Sequence, residues 1–189
     1  MIVKDDVEKA LDYICKSMRT GLKMDEKEFK KIEEMVSLII SSKKIFLYGV
    51  GRSGLIAKAF AIRLVQLGLN VFFIGDSNTP MVEKDSVVII MSNTGQTMSA
   101  VQTANITRRM GAKVIAITSN SHSKLALAAS EAITVASSVP DDKMRLEYAP
   151  LGTVFEQSAG ILLDAIVTIL MKRLEETDQT MRQRHAIWV

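Results

Sequence analysis

Apolar residues recur every three or four positions near the start of the chain, then gather into short unbroken runs through its middle. In residues 4–20, Val7, Ala10, Leu11, Ile14 and Met18 share one helical face. In residues 25–41, Phe29, Ile32, Val36 and Ile39 do the same. This period predicts two amphipathic helices parted at Gly21. The period then changes. Residues 44–50, 71–75, 86–92, 113–119 and 132–136 are short apolar segments, the mark of buried strands. Residues 54–67, 97–110 and 123–130 read as helices between them. Gly68 and Gly111 close the first two, as glycine does just past a helix C-terminus. A long apolar helix is expected over Thr153–Arg173. The tail from Glu175 is polar until Ile187, Trp188 and Val189.

Strands that alternate with helices and are apolar throughout indicate a parallel sheet covered on both faces. The expected fold is α/β, a single doubly wound five-stranded sheet of flavodoxin-like order 2-1-3-4-5. One domain is expected: N-terminal helices over 1–43, the α/β core over 44–173 and a tail over 174–189. Hydrophobic residues make up 48% of the chain and aromatics only 5%, so aliphatic side chains must fill the core.

The net charge of +3 suits small anions and does not call for nucleic acid. A nucleic-acid reader gathers its basic residues on one face, whereas here they are mixed with acidic ones. No segment offers about 18 uninterrupted apolar residues, so no membrane partner is expected. The nearest, 161–171, contains Asp164. The start lacks the pattern of a signal peptide, which points to the cytoplasm. Cys15 is the single cysteine, which excludes an intrachain disulfide and a cysteine metal cluster.

In doubly wound sheets, ligands sit beyond the carboxyl ends of the strands where the strand order switches, here between strands 1 and 3. Two polar loops follow those strands. Gly49-Val50-Gly51-Arg52-Ser53-Gly54 has the spacing of a dinucleotide fingerprint, and Asp76 falls 22 residues after Gly54, where a ribose-binding acid would stand. Against NAD stands the lack of a substrate domain. Ser92-Asn93-Thr94-Gly95-Gln96-Thr97 precedes a helix, whose free N–H groups and dipole favour a phosphate. Thr97 alone would serve as an ordinary N-cap, but three hydroxyls, an amide and a glycine exceed that need.

GVGRSG after strand 1 and SNTGQT after strand 3 resemble the sugar isomerase (SIS) domain. The resemblance extends to Pro150-Leu151-Gly152-Thr153-Val154-Phe155-Glu156 and to Arg184-His185-Ala186, and with the chain length it is closest to the 6-phospho-3-hexuloisomerase family. It implies interconversion of 3-hexulose 6-phosphate and fructose 6-phosphate without metal or organic cofactor. It also implies a homo-oligomer, by the family's habit a tetramer. By resemblance, Gly51, Arg52, Ser53, Ser92, Asn93, Thr94, Gly95 and Thr97 hold substrate and phosphate. Glu156 matches the base and His185 the C-terminal histidine. The family pattern Ser-x-Ser-Gly-x-Thr carries Thr94 at its second serine, which keeps the hydroxyl.

From the residues alone, Thr153-x-x-Glu156 reads as a capping box, a role that competes with catalysis for the same carboxylate. As a base, Glu156 would need apolar neighbours such as Phe155. The apolar Ile187, Trp188 and Val189 call for a docking surface, so the tail is expected to carry His185 to a neighbouring subunit. His122 reads as a loop residue in a Ser/Asn-rich turn, Arg52 as a solvated arginine or an anion contact, and Asp76 and Thr79 as pocket rim. Three other functions stay open: arabinose 5-phosphate isomerase, a non-catalytic sugar-phosphate sensor and an NAD-binding protein. Phosphoheptose isomerase would want clustered metal ligands. A sensor would want a DNA-binding module ahead of the sugar domain, for which the first 43 residues are too short.

Overall fold

The computed structural model describes residues 2–136 and 143–186. Two helices, α1 (Ile2–Gly21) and α2 (Glu26–Ser41), lead into β1 (Lys44–Gly49), α3 (Gly51–Gln66), β2 (Val71–Phe73), β3 (Ser86–Met91), α4 (Met98–Arg109) and β4 (Lys113–Thr118). Then follow α5 (Lys124–Ala128), β5 (Glu131–Thr134), α6 (Lys143–Tyr148), α7 (Thr153–Arg173) and α8 (Asp178–Gln183). The five strands form one parallel sheet in the order β2-β1-β3-β4-β5, as the sequence pattern predicts.

The strands are apolar without alternation because both faces are covered. Every residue of β3 is buried, and all of β4 but Lys113. Val36, Phe60, Leu64 and Ile166 from α2, α3 and α7 pack with Leu47, Ile89 and Ile117 on one face. Ala100, Ala104 and Leu125 from α4 and α5 pack with Phe46, Val88 and Ile90 on the other. Helix α7 is long and apolar enough to cross a membrane by length and composition, yet 56% of its most apolar stretch is buried within the protein. It packs against α1, α2 and α3, so its apolarity serves the core.

Helices α3 and α4 end as expected. Gly68 and Gly111 hold φ of +82° and +81°, and the N–H groups of Leu69 and Ala112 reach back to the carbonyls of Leu64 and Thr107. This is the double-bonded glycine terminus that satisfies the last helical carbonyls. Three features differ from expectation. Helix α3 starts at Gly51 rather than 54, which takes Arg52 and Ser53 out of the loop. Helices α6 and α8 occupy stretches with no predicted element. Each is only six residues long, too short for a hydrophobic period to show. Ile187, Trp188 and Val189 lie outside the described residues.

Strand β5 is an edge strand, and its outward backbone groups need partners. Helix α2 supplies them. Glu28 accepts the N–H of Thr134 at 2.9 Å, and Lys31 donates to the carbonyl of Ala132 at 2.8 Å. The two side chains pair with each other at 2.6 Å and are 17–18% exposed. The N-terminal helices therefore shield the sheet as well as packing on it. Replacing Glu28 with alanine leaves the part-buried N–H of Thr134 without its acceptor and the Lys31 ammonium with only the carbonyl of Ala132. Urea denaturation of Glu28→Ala is expected to show a loss of about 1–3 kcal/mol; a change within error would mean that water replaces the carboxylate without cost.

Candidate active site

Strand β1 lies between β2 and β3, and the helices that follow β1 and β3 pack on opposite faces of the sheet. The crevice between their carboxyl ends is the switch point. At its first wall the glycines have distinct duties. A Cβ on Gly54 would collide with the carbonyl of Gly49, so the first turn of α3 lies directly against the end of β1. Gly51 supplies a φ of +59° with open space around it. The fingerprint spacing here serves strand-to-helix packing. Ser53 is buried and Arg52 projects from the first turn.

The second wall is the 92–97 loop. Three donors converge on the carbonyl of Asn93: the Ser119 N–H at 2.9 Å, the Ser119 hydroxyl at 2.8 Å and the Thr118 hydroxyl at 2.9 Å. The N–H of Leu125 binds the carbonyl of Gly95 at 3.0 Å. Gly95 has a φ of +62°, and a Cβ there would overlap Ser123. The loop is thus fastened to the end of β4 and the start of α5. Ser123 caps α5 by accepting the N–H of Ala126.

Thr97 occupies the N-cap position of α4, but its side chain accepts nothing from the helix. Its hydroxyl lies 3.0 Å from that of Ser92 instead. The N–H groups of the first turn therefore stay without a side-chain cap, which leaves the cradle open to an anion. Thr94 accepts the N–H of Gln96 at 3.2 Å.

Glu156 is not part of a capping box, which corrects the expectation from Thr153-x-x-Glu156. The N-cap of α7 is Gly152, and no side chain caps it. The Thr153 hydroxyl donates to the carbonyl of Pro150 at 2.7 Å. The helix starts one residue earlier than the box requires, because Leu151 takes a φ of +59° in the turn before it. The carboxylate of Glu156 is released from capping and buried, with its side chain 10% exposed. Arg52 Nε lies 2.5 Å from its Oε2. The two residues are 104 positions apart. The other oxygen, Oε1, faces Gly152: a Cβ there would sit 3.0 Å from Oε1 and 3.2 Å from Nδ2 of Asn93. Glycine thereby leaves free a small gap that both the carboxylate and the amide border. A cleft of about 210 Å³ opens beside it, lined by Asn93, Ser119, Leu151 and Phe155.

The structure brings Arg52, Ser53, the 92–97 loop and Glu156 to one end of the sheet. It does not bring His185 there in the same chain. Arg184 donates to the carbonyl of Gln66, the last residue of α3, at 3.0 Å and pairs with Glu176. Arg52 stands in the first turn of that helix, and 16 residues span about 24 Å. His185 is exposed just beyond this anchor, and its Nδ1 lies 3.0 Å from its neighbour's carbonyl, that of Ala186. The guanidinium of Arg184 holds the Glu176 carboxyl below its usual range, helped by the Thr180 hydroxyl. His122 is exposed beside Lys23, Lys27 and Glu131 in a separate cleft along β5. Asp76 pairs with Lys58 at 3.3 Å, and the Thr79 hydroxyl binds the carbonyls of Phe73 and Asp76.

Four contributors escaped the sequence pattern. Thr118 and Ser119 show only as the end of the fourth strand and Ser123 only as the start of the following helix, and Gly152 shows only as part of a motif. The signal that could have found the serines is their position at the carboxyl end of β4, next to β3 in the sheet.

The SIS domain family matches residues 38–159, a span that takes in both loops and Glu156 and stops short of His185. The 3-hexulose-6-phosphate isomerase of Methanocaldococcus jannaschii is 35% identical over 155 residues, 82% of each chain. The 3-hexulose-6-phosphate isomerase of Bacillus subtilis is 34% identical over 160 residues, 83% of this chain and 86% of its own. A crystal structure of a Methanococcus jannaschii protein, from which a 3-hexulose-6-phosphate isomerase function was inferred, superposes with a TM-score of 0.84 at 32% identity. It covers 95% of this chain, which in turn covers 98% of it.

Two glycines test the geometry against each other. Gly51→Ala meets only the cost of a positive φ, about 1–2 kcal/mol. Gly95→Ala meets the same cost and a collision with Ser123, so it is expected to lose clearly more stability in urea denaturation and to weaken phosphate binding. Equal losses at the two positions would mean that the 92–97 loop is not pinned by that contact.

A second test uses acid. The bond from Arg184 lowers the folded pKa of Glu176, so its contribution is full above the ordinary glutamate pKa and lost as pH falls through the lowered value. In Arg184→Ala the tail is expected to become protease-sensitive already at neutral pH, whereas in the parent chain this appears only in strong acid.

Proposed function

The chain belongs to the SIS domain family, and from that premise we propose that it is a sugar-phosphate isomerase interconverting 3-hexulose 6-phosphate and fructose 6-phosphate. One observation carries the proposal: a buried carboxylate, free of any capping duty, stands beside an uncapped helix N-terminus at the switch point. The two relatives named for this reaction support the choice of substrate.

The phosphate sits on the 92–97 loop and the first turn of α4, with the hydroxyls of Ser92, Thr94 and Thr97 as further donors. It takes no part in the chemistry and supplies binding energy remote from the reacting carbons. Glu156 removes the proton from C2 of 3-hexulose 6-phosphate. The C2–C3 bond becomes an enediolate whose charge starts on O3. The hydroxyl proton of O2 passes to O3, the carbonyl reforms at C2, and Glu156 returns its proton to C3. Atoms and charge balance without a redox partner. Arg52 holds Oε2 of Glu156, which leaves Oε1 as the oxygen that meets the substrate.

Fructose 6-phosphate is largely a ring, so one direction needs a proton moved during ring opening. We assign this to His185, delivered by the tail of a neighbouring subunit, since its own chain holds it about the length of α3 from Glu156. The homo-oligomer, a dimer or a tetramer, has exposed apolar residues to use: Val3, Val7 and Leu11 stand on α1 at one-turn spacing. The enzyme works in the cytoplasm, where charge retains phosphorylated sugars.

Supplying 3-hexulose 6-phosphate and arabinose 5-phosphate in parallel tests the substrate, and turnover of the second alone would overturn the proposal. Glu156→Gln is expected to lower kcat about 10²–10⁴-fold; near-normal turnover removes it as the base. Glu156→Gln and His185→Ala chains, each inactive in the ring-opening direction, are expected to regain activity when co-expressed. A mixture that stays inactive places His185 outside a neighbour's site.

A further inference from the structure

Asn93 belongs by sequence to the phosphate loop, but its side chain faces elsewhere. The hydroxyls of Ser92 and Thr97 turn toward each other. The amide of Asn93 instead reaches the gap at Gly152, where it meets the space in front of Glu156 Oε1. No hydrogen bond to either atom of that amide is found among the described residues, although the residue is partly buried. Its backbone is held by three donors on one carbonyl, so the side chain is aimed by a rigid mount. A primary amide offers two N–H donors and cannot itself become charged.

We propose that Asn93 is a catalytic residue whose amide donates hydrogen bonds to the vicinal oxygens O2 and O3 of the enediolate, across the Gly152 gap from Glu156. This rests on the isomerase function argued above and adds the group that carries the negative charge. A Cβ on Gly152 would lie 3.0 Å from Oε1 of Glu156 and 3.2 Å from Nδ2 of Asn93, so base and donor border one small space, and that is where the proposal puts the carbon acid. As Glu156 takes the C2 proton, charge appears on O3 and then moves to O2 as the hydroxyl proton crosses. An amide with two N–H groups follows that movement without giving up a proton. Its donors are oriented before the reaction begins, the condition under which such bonds stabilise a transition state more than a ground state. Arg52 is a positioning residue here, because it touches the carboxylate oxygen that faces away from this gap.

The test uses the full-length chain with Asn93→Ala and Asn93→Asp, both of which keep the backbone carbonyl and its three bonds. Steady-state kinetics with 3-hexulose 6-phosphate is paired with binding of glucitol 6-phosphate, which carries the phosphate but no carbonyl. The expected result is a kcat lower by about 10²–10³-fold, the usual cost of one preorganised donor. KM and the glucitol 6-phosphate Kd should stay within about threefold. A Kd that weakens in step with KM at unchanged kcat would make Asn93 a phosphate ligand and overturn the proposal. Unchanged kinetics would overturn it equally. Gly152→Ala gives a second route: a methyl group in the gap is expected to abolish turnover while glucitol 6-phosphate still binds, and full activity in that variant would sink the idea that substrate occupies the gap. A parent chain that turns over no sugar phosphate defeats the isomerase function itself, whereas an active parent with undiminished Asn93 variants defeats this proposal alone.

Discussion

The close approach of Gly54 to Gly49 is the constraint from which the crevice is built. Only two backbones without side chains can pass so near, and the result is a helix that leaves β1 with almost no loop. The first turn of α3 then overhangs the carboxyl end of the sheet. Arg52 is carried to Glu156, on a helix that enters the sequence about a hundred residues later. A longer loop would carry the guanidinium away from the buried carboxylate and leave Oε2 without its cation.

The second wall is made by a different device. The 92–97 loop has hydrogen bonds of its own, and it is further fastened to the end of β4 and the start of α5. Ser119 and Thr118 grip one carbonyl, and Ser123 occupies the space that Gly95 leaves. The loop can therefore keep an uncapped helix terminus facing the crevice, which a mobile loop would fold over and satisfy. The turn before α7 follows the same logic. Leu151 accepts a left-handed backbone and an exposed side chain so that Gly152, rather than Thr153, is the N-cap of the helix. Strain of that kind persists only where the surrounding structure enforces it, and here it separates Glu156 from the cap it would otherwise make.

At the periphery, charged side chains do the work of backbone partners. Glu28 and Lys31 close the free edge of β5, and Arg184 closes the end of α3. The second of these ties Arg184 to the end of α3 that lies away from the crevice. In the proposed mechanism the histidine beside that anchor acts through another copy of the chain.

The alternation of strand and helix, the parallel sheet and its order, and the two loops at the switch point were all legible in the sequence. Each follows from local period, from glycine at helix ends, or from the rule for doubly wound sheets. Residues 92–97 were recognisable as a polar loop leading into a helix N-terminus because adjacent residues make that feature. The partner of Glu156, the aim of the Asn93 amide, the gap at Gly152 and the distance of His185 were decided by tertiary structure alone. They depend on contacts between residues 25 to 118 positions apart, and no local period records which distant backbone will lie alongside. The capping box at Thr153 failed for the same reason. Its local chemistry was sound, but the turn that precedes it is shaped by the packing around it.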